Sequence, residues 1–477
     1  MSKYNTQATE RNKTTNLAGG EAFVQTPELE FVSFLLTSFV KDQFYQKEEK
    51  VPTRVTGLLG KLQPDFAAKA AIYARNTFNM RSISHVVAAE LAAYAKGKPW
   101  AKSFYEKVVV RPDDITEILS YYFGKGKNQK ETNAMRKGLG AAFGKFDAYQ
   151  LAKYRAEGKA ISLVDAVNLL HPRPSDKNMD ALRLLVEGKL TNQNTWETKL
   201  SEAGKADTED EKLELKGKAW SDLINENKLG YMALLKNLRN ILEQADAKTI
   251  DKALETLADP ERVKKSRVLP FRFYTAYKEM QKLNGTGSRK ALVALNKALD
   301  AAAANVPKFP GETLVVLDVS GSMGGFPSEI GSLFSAIMVK AANADFMTFS
   351  DSARYQNLNP ADSTLTIAQS INFNWGGTNF HSIFEKANKA YDRIIILSDM
   401  QGWMGYSTPT AALGRYKSRT GANPHVYSFD LAGHGTLQFP ENRVYALAGF
   451  SEKIFDIMGK LEQDPRALVH EIEKVEL

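Results

Sequence analysis

Apolar residues recur at three- and four-residue spacing through most of the chain up to about Ala304. FVSFLLTSFV (31–40), DFAAKAAIYARNTF (65–78), SHVVAAELAAYA (84–95) and YMALLKNLRNILEQA (231–245) carry that period, which winds an apolar stripe along one face of an α-helix. Breakers fall between such segments at Gly97–Pro99, Gly124–Gly126, His171–Pro174 and Gly285–Gly287. From Pro27 to Ala304 the pattern predicts helices of ordinary length joined by short turns and stacked as hairpins. No strict repeat recurs at a fixed period, so an irregular, HEAT-like stack is expected rather than a consensus array. SEAGKADTEDEKLELKGK (201–218) is so charged that a solvated helix or loop is expected there.

After Gly311 the period changes. TLVVLD (313–318), ADFMTFSD (344–351), RIIILSD (393–399) and HVYSFDLAG (425–433) are short apolar runs flanked by glycine and polar residues, with helical stretches such as SEIGSLFSAIMVKAANA (328–344) between them. This alternation predicts a doubly wound parallel sheet, whose ligands sit at the carboxyl ends of the strands. The chain therefore divides into a polar arm (1–26), a helical-repeat module (27–305) and an α/β domain (306–477). The fold class is mostly α plus α/β.

The strand ends hold the candidate chemistry. Asp318, Ser320 and Ser322 alternate along one tight loop, Thr378 lies in a second loop (GGTN) and Asp399 ends the RIIILSD run. All five offer hard oxygen ligands, which suits a divalent cation such as Mg²⁺ that keeps water at its remaining positions. The plainer alternative is that Asp318 caps the next helix while the serines turn the chain. No GxxxxGK[ST] or GxGxxG follows the strand, and V-S-G lacks the leading glycine of a nucleophile elbow, so neither nucleotide binding nor a serine hydrolase is supported. An enzyme is not expected; a metal-assisted nuclease stays as a minor alternative, for want of a general base beside the ion.

Composition narrows the partners. There is no cysteine, which removes disulfides, thiolate zinc, Fe–S clusters and a cysteine nucleophile, and makes an intracellular, cytoplasmic protein the simpler expectation. No apolar run is long enough for a membrane span, and the polar start has no signal-peptide pattern. The net charge of +8 is small for 477 residues, but its halves differ. Residues 1–300 carry 49 basic against 37 acidic side chains, a net +12, whereas residues 301–477 carry 14 against 18, a net −4.

In the basic half the cations cluster near tyrosines. Lys125 and Lys127 follow Tyr121 and Tyr122, Arg136 and Lys137 are adjacent, Lys153 and Arg155 flank Tyr154, and His171 and Arg173 share a proline-rich turn. Phosphates need dispersed cations and unpaired bases need π-faces, so this interleaving favours single-stranded or irregular RNA over duplex DNA. Any solvated helix face can look similar. Tyr121 and Tyr122 read as core residues, and His171 also fits a helix terminus ahead of Pro172.

NLAGGEAF (16–23), FYQKEEK (44–50), AIYARNTFNMR (71–81), AMRKGLGAAF (134–143), LVDAVNLLHPRPS (163–175), YMALLKNLRN (231–240) and VLPFRFYTAYK (268–278), followed by VVLDVSGSM, together resemble the TROVE module of Ro ribonucleoproteins with its appended von Willebrand factor A-like domain. The resemblance covers nearly the whole chain. It implies a monomeric ring of helical repeats closed by the A-type domain. The ring would take single-stranded ends of misfolded noncoding RNAs, and the outer surface small Y-like RNAs. It also implies that Lys153 and His171 match positions of RNA contact, that Arg136 and Lys137 match a basic helix, and that Asp318, Ser320, Ser322, Thr378 and Asp399 match a metal-ion-dependent adhesion site. The expected function is RNA binding in RNA quality control, with a nuclease partner possible. The alternative is a protein-interaction adaptor working through the Mg²⁺ site.

Overall fold

A computed structural model of the chain describes residues 13–15, 21–24, 27–37, 50–126, 129–156, 158–190, 196–268, 270–303, 306, 309–402, 404, 409–432, 436–438, 443–447, 455, 458–459, 461–462 and 467–477. It forms two compact units. The first comprises Met1–Asn192, Gly377–Lys389 and Ile395–Leu477; the second comprises Gln193–Gly376 and Ala390–Ile394.

In the first unit the expected helices form, with ends set by local chemistry. The 65–78 segment is the helix Pro64–Thr77, with its proline in the first turn where a missing N–H costs nothing. The 84–95 segment is Ser82–Glu90 followed by one tighter turn, Leu91–Ala93. Helix Ala101–Val108 packs on helix Asn133–Ala142 at Gly138, where a Cβ would run into the Lys102 carbonyl and the Tyr105 side chain. Glycine is required there by the close approach of the two backbones. Within the N-terminal arm, strands β1 (Lys13–Thr15) and β2 (Glu21–Val24) pair antiparallel. β2 also pairs antiparallel with a short late strand, Thr436–Leu437.

In the second unit the apolar stripe is plainest in helix Thr286–Ala303, which buries Ala291, Ala294, Leu295, Ala298, Leu299 and Ala302 along one face. The 231–245 segment is split at Asn237 into Tyr231–Lys236 and Leu238–Gln244. The charged 201–218 stretch belongs to helices Trp196–Ala203 and Glu209–Asn225. The latter is capped by Thr208 and begins with three acidic residues, which suit the positive end of the helix dipole.

The C-terminal strands appear where expected, as β3 (Thr313–Asp318), β4 (Asp345–Phe349), β6 (Arg393–Ser398) and β7 (His425–Asp430). Every residue of β3 and β6 is buried, as in strands covered on both faces. The sheet is mixed rather than wholly parallel. β3 and β4 are parallel, with Asp318 opposite Phe349, but the chain then turns at Ser350–Ser352 and returns as β5 (Ala353–Gln356), antiparallel to β4. β7 pairs parallel with a further strand, β9 (Val444–Leu447), taking Thr436–Leu437 as β8. Strand order in this sheet is β5-β4-β3-β6-β7-β9. The result is a mostly helical chain with a C-terminal α/β region of the von Willebrand factor A kind. No described helix is long and apolar enough to cross a membrane.

Candidate nucleic-acid interface and metal loop

Helix Asn133–Ala142 starts at Thr132, whose hydroxyl accepts the Met135 N–H at 3.2 Å. It turns Met135 and Leu139 into the core and leaves Arg136 and Lys137 exposed. A Cβ on Gly140 of this helix would lie 3.4 Å from the Leu170 carbonyl and 3.9 Å from Pro172 Cα, so the end of helix Leu163–Leu170 rests on it. That helix stops at His171, which is left-handed (φ 46°, ψ 60°) and donates its N–H to the Val167 carbonyl at 2.9 Å, with Pro172 preventing continuation. Asn178, 1% exposed, fastens the loop that follows. Its amide donates to the Phe143 carbonyl at 2.7 Å and the Phe146 carbonyl at 3.3 Å, while its side-chain oxygen accepts from the Ser175 N–H at 2.9 Å. His171 and Arg173, both exposed, are thereby seated against the helix that carries Arg136 and Lys137. Arg136 reaches Asn133 of its own helix at 3.3 Å; the side chains of Lys137, His171 and Arg173 make no hydrogen bond or ion pair among the described residues.

The other expected cations are placed differently. Lys153 ends helix Ala148–Lys153, and its Nζ lies 5.7 Å from the Tyr149 ring centroid and 5.9 Å from that of Tyr154. Arg155 donates to the Leu190 carbonyl at 2.9 Å, so it ties two segments together. Lys125 is committed to a buried carboxylate although its own side chain is 38% exposed. Its Nζ is 2.7 Å from Oε2 of Glu90, a carboxylate that also accepts from Thr56 at 2.9 Å and from Tyr121 at 3.1 Å. Burial first, then the Glu90 charge, pushes the Tyr121 hydroxyl above the usual phenol range. Tyr122 is buried and donates to the Lys130 carbonyl at 3.0 Å, the core role expected of it. Lys127 lies outside the described residues.

Sequence reasoning missed an ionic hub next to this surface. Asp114 is fully buried and receives Arg75 at 2.9 Å, Arg81 at 3.1 Å, His85 at 2.9 Å and the N–H groups of Val110 and Arg111, each at 2.9 Å. Burial alone would raise this carboxyl. The His85 hydrogen bond and charge, the Arg75 guanidinium and the Val110 N–H outweigh it and hold Asp114 far below the usual carboxylate range. Neighbouring Asp113 pairs with Arg81 at 2.5 Å and grips Arg111 at 3.0 and 2.7 Å. The available signal was Asp-Asp directly after Pro112 at a helix start, which by itself reads as ordinary first-turn acidity.

The expected metal ligands fall in both units. In the second, Asp318 is fully buried and its Oδ1 accepts the Ser320 N–H at 2.9 Å, while the Ser320 and Ser322 hydroxyl oxygens are 3.3 Å apart. The loop is pinned by Gly321 N–H to the Gly376 carbonyl at 2.9 Å and by Trp375 N–H to the Val319 carbonyl at 3.0 Å. In the first unit, Thr378 and Asp399 are each 2% exposed; Asp399 Oδ1 accepts the Gln401 N–H at 3.3 Å. In the loop of the second unit one carboxylate and two hydroxyls offer only oxygen, donor types of the kind Mg²⁺ takes, so those residue types fit the ion. Among the described residues no group of three or more His, Asp and Glu gathers as a carboxylate- or imidazole-rich metal cage.

Helical hairpins followed by a mixed α/β sheet define a helical-repeat protein with an A-type appendage. The model of the TROVE domain matches residues 37–185 and again 172–320, more than half of the chain, and the chain belongs to the TROVE-domain family. It is 25% identical over 487 residues to the "RNA-binding protein RO60" of Deinococcus radiodurans, covering 89% of this chain and 90% of that protein. Its fold is that of the crystal structure of the Deinococcus radiodurans RO (RSR) protein, with a TM-score of 0.61 at 19% identity over 94% of this chain and 99% of the other. It is also 25% identical over 321 residues to mouse telomerase protein component 1, which covers 50% of this chain but only 12% of that protein; for the rat protein the share is 13%.

Proposed function

We propose that this chain is a non-catalytic RNA-binding protein that takes small noncoding, Y-like RNAs and the single-stranded ends of misfolded RNAs, as part of a ribonucleoprotein in RNA quality control. The observation that carries the reading is that Arg136 and Lys137 on one helix, and His171 and Arg173 on the turn whose backbone rests on that helix at Gly140, are exposed and engage no carboxylate among the described residues. Phosphate oxygens are the natural complement of such a patch, and each phosphate bound releases counterions. Likeness to a protein named RNA-binding over nine-tenths of its length supports it. Gel shifts with a structured RNA bearing a single-stranded 3′ tail, run across salt concentrations, test it: binding that weakens steeply with salt is expected, and no binding, or binding indifferent to salt, sinks it.

We propose further that the loop carrying Asp318, Ser320 and Ser322 takes Mg²⁺. The ion would supply an electrophilic coordination position for an anionic oxygen. The second reading, an adaptor that captures acidic protein partners through this ion, is favoured by Trp375, which stands 51% exposed while its backbone is bonded to the same loop. Chelator-sensitive protein capture without RNA binding would select the adaptor.

A further inference from the structure

Tyr149 is one of two aromatic side chains more than half exposed among the described residues, at 52%. It lies on the short helix Ala148–Lys153, whose Leu151 and Ala152 face the core. Asp147 and Gln150 close a reciprocal capping box at its start, with bonds of 2.8 and 3.1 Å, so the helix has a fixed first turn despite its length. The ring's position is set by a sequence of contacts running outward from the interior. Asp113 grips the Arg111 guanidinium with two bonds, at 3.0 and 2.7 Å. That guanidinium lies 4.3 Å from the Tyr154 centroid, and the Lys153 ammonium lies 5.9 Å from the Tyr154 centroid and 5.7 Å from that of Tyr149. Lys153 Nζ also comes within 3.5 Å of the Tyr149 hydroxyl. A cation thus sits at the hydroxyl end of an exposed aromatic ring, next to a second ring that a paired guanidinium covers.

A splayed-out nucleotide requires this pair, a flat aromatic face for the base and a cation beside it for the phosphate. We propose that Tyr149 is a stacking platform for an unpaired RNA base, with Lys153 contacting that nucleotide's phosphate and Tyr154 and Arg111 acting as positioning residues behind them. This deepens the RNA-binding reading above and rests on it. Stacking is indifferent to base identity, because every base has a π-face, so the platform selects single-stranded over paired RNA without selecting sequence.

The test uses the full chain with Tyr149→Ala, Tyr149→Phe and Tyr149→Trp, titrated by fluorescence anisotropy against a 3′-tailed RNA at several salt concentrations and against the same RNA with an abasic tail. Loss of the ring is expected to weaken binding about 5- to 150-fold while leaving the salt slope unchanged, since every phosphate keeps its cation. Tyr149→Phe and Tyr149→Trp should bind like the wild type. The abasic tail should bring the wild type down to the level of Tyr149→Ala and cost that variant nothing more. Unchanged binding by Tyr149→Ala, a shallower salt slope in that variant, or a Tyr149→Phe as weak as Tyr149→Ala each overturns the platform. If the wild type itself fails to bind tailed RNA, it is the RNA-binding reading that fails; wild-type binding with an indifferent Tyr149→Ala removes the platform alone.

Discussion

Two groups of Lys and Arg side chains in the first compact unit have opposite employment. Around Asp113 and Asp114, Arg75, Arg81 and Arg111 are consumed by carboxylates, as is Lys125 by Glu90. On the surface formed by helix Asn133–Ala142 and the His171 turn, Lys137 and Arg173 meet no carboxylate among the described residues. A buried charge must be paired because its desolvation costs several kcal/mol, whereas a solvated one is already satisfied by water and can exchange that water for phosphate. The difference teaches that a count of basic residues does not by itself nominate a phosphate-binding surface; which cations the carboxylates have left uncommitted narrows the candidates.

The sharpest way to break this contrast is at its buried end. Asp114→Ala removes the carboxylate that Arg75, Arg81 and His85 all bond and is expected to destabilise the first unit by about 3–5 kcal/mol, read by urea denaturation. A loss below about 1 kcal/mol would mean that the hub is no more than a surface network. Because the folded carboxyl is depressed, its stabilisation is fully present above its unfolded value of about 4 and is lost as pH falls below that. The stability gap between wild type and Asp114→Asn should therefore shrink as pH falls below about 4, in denaturation series at each pH.

At the exposed end, Arg136→Gln, Lys137→Gln and Arg173→Gln combined should weaken single-stranded RNA binding by on the order of tenfold or more. They should also flatten the logarithmic salt slope by about 0.7 for each phosphate left without its cation, with the melting temperature unchanged. Lys125→Met sharpens the assignment between the two groups. It is expected to cost about 1 kcal/mol through Glu90, discounted because the lysine is 38% exposed, and to leave RNA affinity within twofold. A large drop in RNA affinity would move Lys125 to the surface group. The smallest effect on RNA is expected from Asp318→Ala, which should abolish any rise in melting temperature on adding Mg²⁺ while leaving RNA binding intact, as calorimetry and anisotropy would read.

Legibility followed the same division. β3 and β6 were readable because a strand buried on both faces must be apolar throughout, and TLVVLD and RIIIL are. β5 was missed because ARYQ is a partly exposed strand with no apolar run, and its antiparallel return makes the sheet mixed. Helix periods located Pro64–Thr77 closely but not the break at Asn237, where the apolar pattern continues past a residue that leaves the helical conformation (φ −98°, ψ 9°). In the candidate surface, the types Arg136, Lys137, His171 and Arg173 were legible. Their convergence was not, because it depends on Gly140 admitting the Leu170–Pro172 backbone and on Asn178 fastening the turn.

The sequence by itself determined the helical period, the change to strands after Gly311, the opposite charge of the two halves and the oxygen-only character of the Asp318 loop, since these depend on residue type and spacing along the chain. Only the tertiary structure decided which cations are paired with carboxylates, that Lys153 lies near two tyrosine rings, and that Tyr149 is more than half exposed. Those properties arise where residues tens of positions apart meet, and there burial and the nearest carboxylate, rather than the residue's identity, decide what a charge can bind.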